Sequence, residues 1–403
     1  MPTPKSPAAS FVLACVFLDA LGIGLIIPVL PRLIGELSTD PQSQALWYGC
    51  IMTSYGLMQF LFAPVIGAVS DRIGRRPVLL TGIFGLAVMM LVPAFSESLP
   101  AILASRIFGG ILSSNIVVAQ AYIADVTPTE RRTAAFGFIG AMFGIAFILG
   151  PALGGLLGES DPRVPFMTAG IICACNFLYG WFALPESLKV PDSAPIRLSR
   201  CNPFSALFSI GREEKLLPIL AVAALFTLSQ GIVQCTWALY TEFRYGWTPK
   251  EIGLSIFALG CAITATQGFV LPKLARRLPP KPLSLFGLLI GLISLLGTAF
   301  APSGLWAGTA VCIFAVMGVV GPTLQSIISR TGSPEEQGVR MGAVSSLNSF
   351  TGAVSPLLGT PLLLHTTGDA AFALQGVPYL FTALLVALAA AIALRTPFPS
   401  VPR

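Results

Sequence analysis

The sequence predicts an all-α membrane protein of twelve transmembrane helices in two related six-helix halves, and three observations carry that expectation. Of 403 residues, 54% are apolar and 10% charged, whereas a soluble globular chain carries roughly 25% charged residues. Too little charge remains to cover a water-facing surface. Apolar stretches of about 20 residues, each long enough to cross a ~30 Å hydrocarbon core at 1.5 Å per residue, recur along nearly the whole chain. The third observation is an internal repeat. Thr127-Pro128-Thr129-Glu130-Arg131, followed by Pro151-Ala152-Leu153-Gly154, returns half a chain later as Ser333-Pro334-Glu335-Glu336, followed by Pro356-Leu357-Leu358-Gly359.

Taken in order, the first apolar run starts at Ser10 and passes through Asp19, Gly22 and Gly24 without a small-residue cleavage site, so it reads as a span and not as a signal peptide. Apolar runs between charged or Pro/Gly-rich breaks place spans at 10–33, 45–69, 77–96, 99–124, 133–157 and 165–184. A polar stretch from Pro185 to Lys215 intervenes, and further spans fall at 216–240, 250–271, 282–300, 303–329, 339–365 and 373–395. The expected organisation is an N-terminal half over 1–188, a linker over 189–215 and a C-terminal half over 216–403. Duplicated six-helix halves are a transporter architecture, with the substrate site near the bilayer midplane.

Twelve spans put both termini on one side, and Lys and Arg concentrate on the cytoplasmic side of membrane proteins. Of 24 such residues, 19 fall on the side of the termini, among them Arg72, Arg75, Arg76, Arg131, Arg132, Lys273, Arg276 and Arg277. Only Arg32, Arg163, Arg244 and Lys250 fall on the other, and Arg106 lies inside the fourth span. Both termini are therefore expected in the cytoplasm. The net charge of +6 follows from this topology, so no nucleic-acid partner is needed. Seven of the eight cysteines lie in apolar stretches without metal-ligand spacing, and His365 is the single histidine. No metal, cofactor or enzyme chemistry is expected from such a set.

Three strings carry mechanism. Between the second and third spans lies Gly67-Ala68-Val69-Ser70-Asp71-Arg72-Ile73-Gly74-Arg75-Arg76-Pro77. In it Gly67 permits close helix approach, Asp71 can cap a neighbouring helix, and Arg75 and Arg76 can bond helix carbonyls or acids. The fifth span carries Gly144, Gly150, Pro151, Gly154 and Gly155. Glycines four apart let helices pack backbone to backbone, and a proline kinks the span. The fourth span holds Arg106 followed by Gly110, and the first holds Asp19, the only acid deep inside any span. An intramembrane Arg must find a partner or water. Asp19 sits about 14 Å and Arg106 about 20 Å from the cytoplasmic face, a difference that a long Arg side chain spans.

These strings resemble the major facilitator superfamily: the signature loop from Gly67 to Pro77, the intramembrane Arg106 motif, and the Gly-Pro motif of its drug/proton antiporters at Gly150 and Pro151. The wider likeness is to the tetracycline/proton antiporters and their multidrug relatives, through Leu18-Asp19-Ala20-Leu21-Gly22, Ala121-Tyr122-Ile123-Ala124-Asp125 and Leu184-Pro185-Glu186-Ser187. Those tetracycline pumps typically carry further intramembrane acids in helices 3 and 9, where this chain has Met89 and an apolar run at Leu289 and Ile290. The resemblance implies proton-coupled export of small amphipathic drugs by alternating access, as a monomer in a bacterial inner membrane. It implies a conformational latch of Gly67, Asp71, Arg72, Gly74, Arg75 and Arg76, and proton coupling through Asp19, Arg106 and Asp125. Candidate cavity residues are Gln59, Asn115, Gln120, Gln230, Gln234, Trp237, Gln325 and Asn348, polar or aromatic groups inside the spans. The rival expectations are an exporter or importer of one metabolite, such as a siderophore or sugar, and a receptor or scaffold without turnover.

Overall fold

The computed structural model describes residues 7–113, 115–128, 131–188, 216–330, 334–363 and 376–396. The linker predicted over 189–215 and the single His365 lie outside them. The described chain is helical almost throughout. Its first six spans are α1 (Pro7–Ile26) with α2 (Leu30–Leu37), α3 (Pro41–Ile73), α4 (Arg75–Phe95), α5 (Leu99–Leu112) with α6 (Asn115–Val126), α7 (Arg132–Leu157) and α8 (Val164–Ala183). The later ones are α9 (Leu217–Tyr245), α10 (Pro249–Ala265) with α11 (Leu271–Arg277), α12 (Pro280–Ala299), α13 (Gly304–Phe314) with α14 (Val320–Arg330), α15 (Pro334–Leu362) and α16 (Val377–Arg395).

Local chemistry explains the boundaries. Helices α5, α8, α9, α12 and α16 start with proline in their first two positions, where the missing N–H costs nothing and the fixed φ suits the helix. Helix α1 meets α2 at a bend of 46°, across Ile27, Pro28 and Val29. A π-helical turn at Thr266–Val270 joins α10 to α11, and a 3-10 turn at Ala315–Val319 joins α13 to α14. The second span runs to Ile73, past the expected end at 69, because no breaker intervenes before Gly74, whose φ is +109°. The signature string is therefore two helix ends joined at a single glycine, and only Gly74 is non-helical.

Among the described residues, ten helices are long and apolar enough to cross a bilayer, or eleven when the bent α1–α2 pair counts as one span. Helix α15, 29 residues long, takes the eleventh place along the chain and completes twelve. Large apolar side chains face outward: Phe182 is 85% and Leu305 83% exposed. Such a surface is untenable in water and natural against lipid.

The chain divides into two compact units. One gathers Met1–Thr39, Cys50–Asn202 and Thr248–Phe257; the other gathers Asp40–Gly49, Pro203–Trp247 and Ala258–Arg403. In the first, α1 packs on α7 and α8, and α4 packs on α8. In the second, α9 packs on α15 and α16, and α12 packs on α16. In span numbers these are contacts 1–5, 1–6 and 3–6 beside 7–11, 7–12 and 9–12, so the sequence repeat recurs as a repeat of packing.

Candidate functional site

Inside the first unit lies a cavity of about 480 Å³ lined by α1, α3, α4, α6 and α7. Its walls are largely apolar, with Phe11, Ile83, Phe136, Ile139, Phe143 and Phe147 among them. Phe143 and Phe147, one helical turn apart, stack with centroids 5.0 Å apart and planes 23° apart. The polar groups are few: Asp19, Tyr55, Gln59, Ser113, Asn115 and Gln120. Three expected cavity residues, Gln59, Asn115 and Gln120, thus share one site with Asp19, which is its only carboxyl among the described residues.

Two amides hold Asp19. Asn115 Nδ2 donates to Asp19 Oδ2 at 3.4 Å, and Asn176 Nδ2 donates to Asp19 Oδ1 at 3.3 Å. Asn115 is the first residue of α6 and Asn176 lies in α8. They are 5% and 1% exposed. The Oδ1 atoms of both amides are buried without a hydrogen-bond partner among the described residues. Asn115 has room because residue 82 is glycine: a Cβ there would stand 2.7 Å from Asn115 Cγ. Sequence reasoning missed Asn176. The signal available was an uncharged polar group in the middle of an apolar span, between Cys175 and Phe177.

Arg106 does not meet Asp19. It is 5% exposed, with its guanidinium 5.9 Å from the Tyr55 ring and 5.6 Å from that of Phe166. Nη2 lies 3.7 Å from Met90 Sδ, and no acid forms an ion pair with it among the described residues. Cation–π attraction to aromatic faces takes the place of a counter-ion. The expected pairing fails on length. The fourth span, Leu99–Val126, has 28 residues, so it exceeds the ~30 Å hydrocarbon core. Nine residues, about 14 Å of helix, separate Arg106 from Asn115, the residue that sits at the level of Asp19.

Of the residues expected to form a latch, Asp71 pairs with Arg75, whose side chain is 9% exposed. Arg75 Nη1 lies 2.5 Å from Asp71 Oδ1, one turn back across Gly74, and donates to Ser70 Oγ at 2.6 Å. Arg75 Nε donates to Asp125 Oδ2 at 3.2 Å. Asp125, expected in proton coupling, therefore bonds Arg75 and is not among the described residues that line the cavity; it sits near the end of α6, about 15 Å of helix beyond Asn115. The expected cap by Asp71 also changes hands. Glu186 accepts from the backbone N–H of Arg75 at 2.9 Å and of Arg76 at 3.1 Å, while Arg76 Nη2 donates to Trp181 O at 2.7 Å. Arg72 is exposed. At Gly67 a Cβ would meet Val117 Cγ1 at an ordinary 3.5 Å, so close approach is not what glycine supplies there in this conformation.

The glycine motif of α7 forms a seam. A Cβ on Gly150 would stand 2.8 Å from Gly24 Cα, and one on Gly154 would stand 2.7 Å from Leu25 Cα. Helices α1 and α7 thus touch backbone to backbone. Gly155 meets Gly253 and Pro249 at the start of α10, a segment grouped with this unit. Helix α7 continues through Pro151. Gly144 has open space around it and takes no part in the seam.

The remaining expected cavity residues belong to the second unit, and none lines the cavity described above. Gln234, Gln325 and Asn348 are exposed and Gln230 is half-buried. Trp237 is 3% exposed, packed edge-on to Trp247 at 6.0 Å and to Tyr379 at 6.3 Å. Its place is a buried aromatic cluster, not the wall of an open cavity, because α9 turns that face toward α16.

A bundle of apolar helices built on a repeated packing scheme, with a lone carboxyl in an aromatic-walled cavity, defines a polytopic membrane transporter. The chain belongs to the Major Facilitator Superfamily, whose family model matches residues 12–356. It is 35% identical to the class C tetracycline resistance protein of Escherichia coli, over 87% of this chain and 88% of that protein. To the class D protein of Salmonella ordonez it is 34% identical, over 97% and 98% of the two chains. Among solved structures, the human organic anion transporter MFSD10 (TETRAN) superposes with a TM-score of 0.66 at 25% identity, covering 96% of this chain and 100% of that one. A bacterial homolog of the human lysosomal transporter Spinster, inward-facing and unoccupied, superposes with a TM-score of 0.78 at 16% identity over 97% of both chains, a likeness of fold.

Proposed function

We propose that this chain exports small amphipathic drugs of the tetracycline kind in exchange for protons, by alternating access. Two lines support the reading: near-full-length similarity to tetracycline resistance proteins, and the placing of Asp19 as the only carboxyl in the cavity. The single observation that carries the coupling is the clasp of Asn115 and Asn176 on Asp19. A carboxyl with its orientation held by two amides, in a low-dielectric cavity, takes up or releases a proton as its access to water alternates. Among the described residues the cavity holds an acid and no cation, so it suits a neutral or monocationic substrate and disfavours an organic anion.

In this reading the halves 1–188 and 216–403 move about the membrane-centred site, and the Asp71–Arg75–Asp125 latch holds one facing state and opens in the other. The α1–α7 glycine seam keeps the helix that carries Asp19 rigid while the halves move. Arg106, ringed by Tyr55 and Phe166, packs the fourth span against its neighbours, and any bias it exerts on the Asp19 proton acts without a direct ion pair. The chain works as a monomer in a bacterial inner membrane with both termini in the cytoplasm. The test is uptake of tetracycline into inverted vesicles from a host stripped of its own pumps. Accumulation on imposing a proton gradient, collapsing with a protonophore, is expected. Vesicles that contain the protein and take up no tetracycline, under conditions where a tetracycline resistance protein does, would refute the substrate class.

A further inference from the structure

The chain segment after α8 does more than leave the membrane. It returns to the start of α4, where the first turn carries two cations, Arg75 and Arg76, and no acid. That is unfavourable at the positive end of a helix dipole, and the first N–H groups lack intrahelical partners. Gly74, the N-cap residue, has no side chain to offer. Glu186 supplies both missing parts from more than 100 positions away in sequence. Its Oε1 accepts from Arg75 N at 2.9 Å and its Oε2 from Arg76 N at 3.1 Å. The same Oε1 accepts from the backbone N–H of Ser187 at 2.9 Å and of Leu188 at 3.0 Å, so the carboxylate is oriented by its own segment.

The capping is reciprocal. Arg76 Nη2 donates to Trp181 O in the last turn of α8 at 2.7 Å, with its guanidinium 5.8 Å from the Trp181 ring. The segment that follows α8 therefore caps the start of α4, and α4 caps the end of α8. Two further contacts tie the segment to α6: Tyr122 Oη donates to Pro185 O at 2.8 Å, and Ser187 Oγ donates to Asp125 Oδ2 at 3.1 Å. Asp125 is the acid that Arg75 Nε bonds. A Cβ on Gly74 would run into the Glu186 carboxylate, so the tight, left-handed φ of that residue and the position of Glu186 require one another.

We infer that Glu186 is the positioning residue of the latch: by capping α4 it fixes the backbone from which Arg75 reaches Asp71 and Asp125 together. This rests on the latch reading proposed above. Without the cap, the first turn of α4 frays and the Arg75 side chain loses its fixed origin. A fixed origin is what a bond shared among Ser70, Asp71 and Asp125 needs. Conformational exchange then slows or loses its preferred resting state, while the polar centre of the cavity at Asp19 and Asn115, about 15 Å of helix from Asp125, keeps its affinity.

The experiment uses the full chain and two readouts. Amide hydrogen exchange across residues 74–80 is measured for wild type, Glu186→Gln, Glu186→Ala and Glu186→Asp. The N–H groups of Arg75 and Arg76 are expected to exchange at least tenfold faster in Glu186→Ala, and less so in Glu186→Gln, which keeps neutral acceptors. Glu186→Asp, one methylene short, behaves like Glu186→Ala. In the same preparations, proton-driven uptake shows a turnover lowered about tenfold with KM unchanged. Adding Asp71→Asn to Glu186→Ala costs little more, because both act on one latch. Unchanged amide protection, a shift in KM, or fully additive losses each overturn the inference. Exchange is read without any substrate, so a chain that carries no tetracycline refutes the substrate class and leaves this test intact; if Glu186→Ala does not fold, Glu186→Gln supplies the same comparison.

Discussion

Asp19→Asn removes the only carboxyl that lines the cavity among the described residues, and the size of its effect follows from that count. One proton crossing a membrane potential of about 100 mV supplies roughly 2.3 kcal/mol. At about 1.4 kcal/mol per factor of ten, a neutral substrate exchanged for one proton reaches about a fifty-fold gradient. Each unit of pH difference contributes about 1.4 kcal/mol, a further tenfold. For a monocationic substrate the exchange is electroneutral, and only the pH term remains. For a neutral substrate a second coupled proton would square these limits, and it would need a second acid in the cavity. Asp125 does not provide one, being engaged by Arg75 and Ser187 in the latch.

The assay is accumulation of labelled substrate in proteoliposomes with the potential and the pH gradient imposed separately. Wild type concentrates a neutral substrate up to about fifty-fold at about 100 mV and no further. Asp19→Asn equilibrates substrate without concentrating it, since the amide cannot carry the proton. Asp125→Asn slows the approach to steady state and leaves the final ratio unchanged. A final ratio far above the one-proton limit, or accumulation by Asp19→Asn, would refute the assignment of coupling to this single carboxyl.

The remaining predictions concern the supports of that carboxyl and the frame around it. Gly82→Ala pushes a Cβ into the Asn115 amide. Losing a bond to a charged group costs roughly 1.5–3 kcal/mol, so transport should fall about tenfold to a hundredfold, as in Asn115→Ala, when uptake rates are compared at equal protein. Gly154→Val sets side-chain atoms against Leu25 backbone, overpacking worth about 1–3 kcal/mol. Its melting temperature in detergent should drop, while Gly144→Val, in open space, should melt like wild type; equal melting of the two would sink the α1–α7 seam. In a cysteine-free background, an impermeant thiol reagent added from outside should label Asp161→Cys and spare Arg72→Cys, both exposed positions. The reverse pattern would invert the topology.

Composition and spacing reach the bundle because a bilayer imposes the same demand on every span, some 20 apolar residues with all backbone groups satisfied internally. They also reach the glycines at 150 and 154, since a pair four apart on an apolar helix leaves a groove whatever fills it. They do not reach the partner. Asn176 and Glu186 meet Asp19 and the start of α4 at separations of 157 and 111 residues, and no periodicity relates such positions. Arg106 shows the same limit from the other side. Its expected depth takes the outer end of the fourth span as the membrane face, whereas the span outruns the hydrocarbon core and sets Arg106 about 14 Å of helix from Asn115, the residue at the level of Asp19. Intramembrane charges were paired by being the only two of opposite sign, yet what Asp19 receives is two uncharged amides and what Arg106 receives is two aromatic faces. In a medium where a free ion pair is costly to form and costly to part, a coupling acid that must gain and lose its proton each cycle is better served by amides that remain neutral throughout. An arginine pinned to Asp19 would oppose every protonation, and Arg106, held among aromatic rings, makes no such pair.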